Sequence, residues 1–177
     1  MVAKVHYTWT DIEHMIQSIN NLMYADQWRP DYVVGLTRGG LVPAVMLSNM
    51  TGIKMHTLDV RFRDGDTQES NAWMAEDAFG MPEADSGGAG KNILILDDIN
   101  DTGRTFKWIQ QDWPSGCFAG HHHWNNVWGN NVRTAALIDN GASEFGEVDY
   151  TALEINKAEK DVWVVFPWEG ERNYGNI

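Results

Sequence analysis

Residues 92–105 read NILILDDINDTGRT, in which four aliphatic side chains, Ile93 to Leu96, end in the adjacent carboxylates Asp97 and Asp98. A third carboxylate, Asp101, follows, and then Thr102, Gly103, Arg104 and Thr105. Carboxylates cannot hold phosphate, but they accept hydrogen bonds from sugar hydroxyls or bind Mg2+ through water. DTGRT suits the opposite partner: where a strand gives way to a helix, successive backbone N–H groups and two threonine hydroxyls can cup a phosphate. An acidic tip beside a phosphate cup points to a sugar phosphate. A second turn, Thr37, Arg38, Gly39 and Gly40, follows the apolar run YVVGL in the same manner. Its glycines let backbone approach a ligand closely, and Arg38 adds charge.

These loops need strands and helices to place them. NILIL shows no period-2 alternation, the pattern of a strand covered on both faces of a parallel sheet. YVVGL, KMHTLDVRF, VRTAALI, VDYTAL and VWVVF read as further strands. In TDIEHMIQSINNLM, Ile12, Met15, Ile16, Ile19, Leu22 and Met23 share one helical face, and Thr10 with Glu13 has capping-box spacing. LVPAVMLSNMTG puts Pro43 in the first turn of a second helix and Gly52 just past its end. RTFKWIQQ predicts a short helix after the phosphate cup. Strands alternating with helices predict an α/β fold with a mainly parallel sheet flanked by helices. Such sheets bind ligands beyond the carboxyl ends of their strands, where both glycine turns fall. The stretch from Arg63 to Gly90 reads as polar, glycine-rich loop. Residues 113–131, rich in Trp, His, Asn and Gly, read as an irregular insertion within one domain spanning 1–177.

Composition narrows the partners. A net charge of -12, from 13 basic and 25 acidic residues, argues against a nucleic-acid polymer or an anionic membrane as the main partner. No apolar run approaches the about 20 residues of a membrane-spanning helix, and MVAKVHYTW lacks the core of a signal peptide. A cytoplasmic protein is expected. Cys117 is the only cysteine, which precludes an internal disulfide.

LILDDINDTGRT resembles the signature of the type I phosphoribosyltransferases: an apolar strand, two acids, two variable residues, then Asp-Thr-Gly. GLTRGGLVPA is similar to the pyrophosphate loop of that family, and YTWTDI and DVWVVFPWE extend the likeness, which is nearest to the bacterial xanthine-guanine members. The resemblance implies the family fold with a small C-terminal hood. It also implies an enzyme that moves ribose 5-phosphate from phosphoribosyl pyrophosphate to a purine (guanine, xanthine or hypoxanthine), releasing pyrophosphate with Mg2+ as cofactor. The 5-phosphate would lie on Asp101, Thr102, Gly103, Arg104 and Thr105. The ribose hydroxyls or metal would lie at Asp97 and Asp98, and pyrophosphate with Mg2+ on Thr37, Arg38, Gly39 and Gly40. A cis peptide is implied at Arg38 or its neighbour. Asp101 matches the acid near the purine N7, a proton acceptor, and Arg61 to Asn71 stand where a lid lies. For the base, Trp163 matches a stacking ring, Val164 a backbone reader and Glu169 an acid. Asn140 stands where relatives carry a lysine for the exocyclic oxygen; an amide donates there without the charge. Relatives are commonly dimers or tetramers, so a homo-oligomer is expected.

Plainer readings compete. Asp97 and Asp98 can be a solvated strand end, Arg38 a surface charge and Trp163 a packing aromatic. His121, His123 and Cys117 can ligate a metal, pack the insertion or form a subunit contact. A non-catalytic protein of the same fold, sensing phosphoribosyl pyrophosphate or a nucleotide, is the alternative to the enzyme, and transfer to a pyrimidine or an unusual base also stays open.

Overall fold

The structure is a computed structural model that describes residues 2–60, 72–80 and 90–169. Five strands form a parallel sheet: β2 Tyr32–Leu36, β3 Lys54–Leu58, β4 Ile93–Asn100, β5 Val132–Asn140 and β6 Tyr150–Ile155. Their spatial order is β3-β2-β4-β5-β6. The chain runs outward from β2 to β3, returns to β4 on the other side of β2, and continues away through β5 and β6. The topological switch therefore lies between β2 and β4. In an open parallel sheet, that crevice is where ligands bind.

β4 shows why its sequence lacks alternation. Ile93 and Ile95 enter one core and Leu94 and Leu96 the other, and all four are buried. On one face lie α1 Trp9–Ala25 and α2 Leu41–Thr51. The opposite face is covered by α3 Ala72–Phe79, α4 Arg104–Gly116 and a 3-10 helix, His122–Asn126. Each fully buried Leu or Ile contributes roughly 1.5–3 kcal/mol of transfer free energy, and these two cores hold the strand tips in place.

α1 buries Ile12, Ile16, Ile19 and Met23, while Leu22, expected on that face, is 43% exposed. The capping box is also displaced from its expected site. Thr8 is the N-cap, with the Asp11 backbone N–H donating to its Oγ1 and the Asp11 carboxylate accepting from the Thr8 backbone N–H. Thr10 sits inside the helix. α2 is flanked by Gly40 at its N-cap and by Gly52 at its C-cap, whose φ of 72° is the left-handed cap expected there.

Three elements differ from expectation. AWMAEDAF, within the stretch read as loop, forms α3 and buries Met74, Ala75, Ala78 and Phe79. α4 continues through Pro114 to Gly116, into the segment read as insertion, because Trp113 is fully buried in the core. Beyond it, Trp124 donates from Nε1 to the Cys117 carbonyl, and Phe118, His121, His123 and Trp124 pack their rings around Phe79. The insertion thus roofs the α3–α4 core. VWVVF is β7 Val162–Val165, and its partner is the parallel strand β1 Ala3–His6, which no apolar run announced. This two-stranded hood packs on the sheet through Val164 and Phe166. The proposed lid, Arg61 to Asn71, lies outside the described residues.

Candidate functional site

Three segments meet at the switch point. The β2–β4 register pairs Gly35 with Leu96, so the turn Thr37–Gly40 runs directly beside Asp97 and Asp98. The approach is tight. A Cβ on Gly39 would stand 1.9 Å from Asp98 Oδ2, and one on Gly40 would meet the backbone carbonyls of Leu96 at 2.5 Å and Leu36 at 2.8 Å. At Gly40 the obstacle is backbone and only glycine fits, whereas a side chain at Gly39 would have to push the Asp98 carboxylate aside. The Thr37–Arg38 peptide is cis. The Thr37 hydroxyl donates to Asp59 Oδ1 at 2.6 Å, tying the turn to the end of β3.

The second turn is braced from the other side. Gly103 has φ 82° and lies against Ser143 and Phe145, and the Glu144 N–H donates to the Thr102 carbonyl at 3.0 Å. The loop that carries Ser143 is itself fixed by a buried polar network. Asn100 Nδ2 donates to Asp139 Oδ1 and to the Gly146 carbonyl, Ser143 Oγ donates to Asn100 Oδ1, and the Val148 N–H donates to Asp139 Oδ2.

Helix α1 satisfies its first N–H groups with its own side chains, but α2 and α4 begin at glycines without a side-chain cap. The Leu41 N–H donates to the Arg38 carbonyl and the Arg104 N–H to the Thr102 hydroxyl, and the two helix N-termini bring their partial positive charge to the mouth of the crevice, one on each face of the sheet. Anions belong there.

Between them the strand tip is strongly acidic. Burial, and then the charge of Asp98, hold the Asp97 carboxyl well above the usual range. Asp98 is pushed up to about 6, mainly by burial; the nearby Glu169 charge adds to this, while hydrogen bonds from Asp97 and the Ile99 N–H oppose it. Among the described residues no three His, Cys, Asp or Glu side chains can enclose an ion by themselves. Mg2+ nonetheless fits the donor set, because that ion is commonly held by one or two carboxylates together with substrate phosphates and water.

The base-side residues behave differently from one another. Trp163 points away from the core and is 59% exposed, whereas Val164 is buried on the other face of β7. Glu169 accepts from the Phe166 N–H at 3.0 Å, which folds the end of the hood toward Asp98. Asn140 is 5% exposed and engaged within the fold: Nδ2 donates to the Asp101 carbonyl at 2.8 Å, and Oδ1 accepts from the N–H groups of Ala142 and Lys157. It is a brace between loops rather than an open reader of a ligand edge. Asp101 is itself paired, its Oδ1 2.9 Å from Lys157 Nζ. His121 and His123 lie against Phe79, within the roof of the other core.

Sequence reasoning did not find Lys157, Asp59, Asn100 or Asp139. The last two carried a signal, since Asn100 closes β4 after Ile99 and Asp139 directly follows the apolar run 135–138 of β5. A polar residue at such a strand end is buried only when a partner awaits it.

A crevice at a topological switch, with two helix N-termini around a carboxylate pair, is the arrangement of an α/β protein built for a small anionic ligand. The family model of the phosphoribosyl transferase domain matches residues 4–111, and the chain belongs to that family of enzymes. A xanthine-guanine phosphoribosyltransferase of Cereibacter sphaeroides is 31% identical over 150 residues, which cover 83% of this chain and 72% of that protein. Among solved structures, a Neisseria gonorrhoeae protein with bound ppGpp superposes with TM-score 0.67 at 19% identity, over 97% of this chain and 92% of that one. A purine phosphoribosyltransferase from Pyrococcus horikoshii superposes with TM-score 0.63 at 24% identity, over 94% of each chain. At such identities these two structures speak to the fold alone. Among the described residues no helix is long and apolar enough to cross a membrane.

Proposed function

We propose that the protein transfers ribose 5-phosphate from phosphoribosyl pyrophosphate to a purine of the guanine, xanthine or hypoxanthine type. The observation that carries this is the convergence of the Thr37–Gly40 turn, the Asp97–Asp98 tip and the α4 N-terminus on one crevice. In this reading the 5-phosphate sits on residues 101–105 at the start of α4. The pyrophosphate lies along Thr37 to Gly40, where Arg38 supplies charge. Asp97 and Asp98 accept from the ribose hydroxyls or hold Mg2+, which when bound would neutralise the departing pyrophosphate. Glu169, beside Asp98, adds to the negative field that draws the ion. Trp163 offers an exposed ring for stacking and Val164 its backbone for the base edge.

The chemistry needs little covalent help. As the C1–O bond breaks with its electron pair leaving on pyrophosphate, a ring nitrogen of the base forms the new C1–N bond. The proton on the other imidazole nitrogen passes to the Asp101 carboxylate. Lys157 pairs with Oδ1 of Asp101, whose side chain is 45% exposed, and in this reading Oδ2 is the acceptor. A positioned acid or base of this kind is typically worth about 100- to 10,000-fold in rate.

The test mixes pure protein, Mg2+ and the donor with guanine, xanthine, hypoxanthine, adenine, uracil and orotate in turn, and follows pyrophosphate and the new nucleotide. Turnover of a 6-oxopurine that falls at least about 100-fold in Asp101→Asn, with an unchanged melting curve, supports the reading. A non-catalytic sensor of the donor or of a nucleotide is the second reading, favoured by the ion pair that occupies one oxygen of Asp101. Tight donor binding without turnover of any base selects it.

A further inference from the structure

Lys157 stands in the turn after β6, yet its ammonium lies 2.9 Å from Asp101 Oδ1 in the loop after β4. The side chain is only 19% exposed, whereas that of Asp101 is 45% exposed. The pair is built rather than incidental, because Asn140 holds both ends of it. Its Nδ2 donates to the Asp101 carbonyl at 2.8 Å, and its Oδ1 accepts from the Lys157 N–H at 3.0 Å. One amide thus fixes the backbone of both charged residues. An ammonium has three donors and no acceptor. One is engaged by Asp101, and no other hydrogen-bond partner of Nζ occurs among the described residues.

A carboxylate oxygen and an ammonium one hydrogen-bond length apart make an acceptor and a donor side by side. The five-membered-ring edge of a 6-oxopurine presents the complementary couple: a ring nitrogen and, beside it, the exocyclic oxygen. A 6-aminopurine presents an amino donor in that second place. Against the first, Asp101 takes the N7 proton while Lys157 donates to the oxygen. Against the second, ammonium meets amino group, donor to donor, and a partly buried charge loses a partner.

We propose that Lys157 is the specificity-determining residue that selects 6-oxo over 6-amino purines, with Asn140 as the positioning residue that sets its distance from Asp101. This rests on the purine reading of the site and deepens it. It also gives Asn140 a task other than touching the base, and draws the discriminating charge from the β6–β7 turn.

The test compares Lys157→Met, Lys157→Arg and the unaltered protein in two assays. The first is steady-state transfer to guanine, hypoxanthine and adenine. The second is calorimetric binding of GMP and AMP. Lys157→Met is expected to lower kcat/KM for both 6-oxopurines roughly 10- to 100-fold, leave adenine unchanged or improved, and leave the KM for the donor unchanged. The preference for GMP over AMP should shrink by a similar factor, and Lys157→Arg should restore most of it. A loss equal for all bases, or an unchanged GMP preference, overturns the role of Lys157. Absence of turnover by the unaltered protein on every base overturns the enzyme reading instead, and the nucleotide-binding arm then still decides the role of Lys157.

Discussion

Replacing Asp98 by Asn should make the free protein more stable, and only above the acid range. Asp98 has an ordinary carboxyl value of 3.8, pushed up to about 6 by burial and by Glu169. A carboxyl raised on folding contributes stability that is fully present below the unfolded value and is lost as pH rises through the folded one. At neutral pH the folded chain therefore carries an unfavourable charge at this position, worth up to ~3 kcal/mol and about 1–3 kcal/mol after partial solvent screening. Asn resembles the protonated acid and avoids that penalty. It also removes the charge that helps raise Asp97. Urea unfolding in EDTA at pH 4, 6 and 8 measures the difference. The variant should gain less than ~1 kcal/mol at pH 4, just above the unfolded value, and about 1–3 kcal/mol by pH 8, while losing affinity for the Mg2+-bound donor. A gain as large at pH 4 as at pH 8, or a variant less stable at pH 8, refutes the assignment of burial as the dominant cause.

Three further outcomes follow from the packing. Gly40→Ala should cost more stability and donor affinity than Gly39→Ala, because its Cβ meets backbone carbonyls while that of Gly39 meets the end of one side chain; melting curves and donor titrations of both variants decide this. Asp139→Ala leaves the Val148 N–H unpaired and loosens the loop behind Gly103, so it should destabilise by roughly 2–3 kcal/mol and weaken 5-phosphate binding, read by denaturation and titration with ribose 5-phosphate. Thr8→Ala removes the α1 cap and should cost about 1 kcal/mol with no change in the KM for the donor, measured by thermal melts and kinetics.

How much of this could be read in the chain varies with how local each cause is. β4 announced itself because a strand buried on both faces has no polar side to interrupt it. The phosphate turns were legible because few side chains permit such close backbone approach, and Gly39 and Gly40 record that constraint directly. The capping box was misplaced because two threonines each precede an acid by three residues, and only tertiary entry of the chain from β1 decides for Thr8. α3 was hidden in a polar, glycine-rich stretch, since its eight residues are too few for helical periodicity to stand out. Lys157 was the hardest to find. INKAEKD looks like a solvated charged turn, and its meeting with Asp101 depends on the alignment of β5 between β4 and β6 and on the side chain of Asn140.

The hood joins β1 to β7, strands from opposite ends of the described chain, by only four residue pairs. Contacts this distant in sequence form late, and small exposed pairings open at lower free energy than a central sheet. Gentle loosening of the molecule should therefore undress the crevice in stages. Amides of the hood should exchange with heavy water ahead of those in β4, and a form that has shed the exposed Trp163 ring would keep the Lys157–Asp101 pair in place, so that its hold on an acceptor weakens before its choice between acceptors is lost.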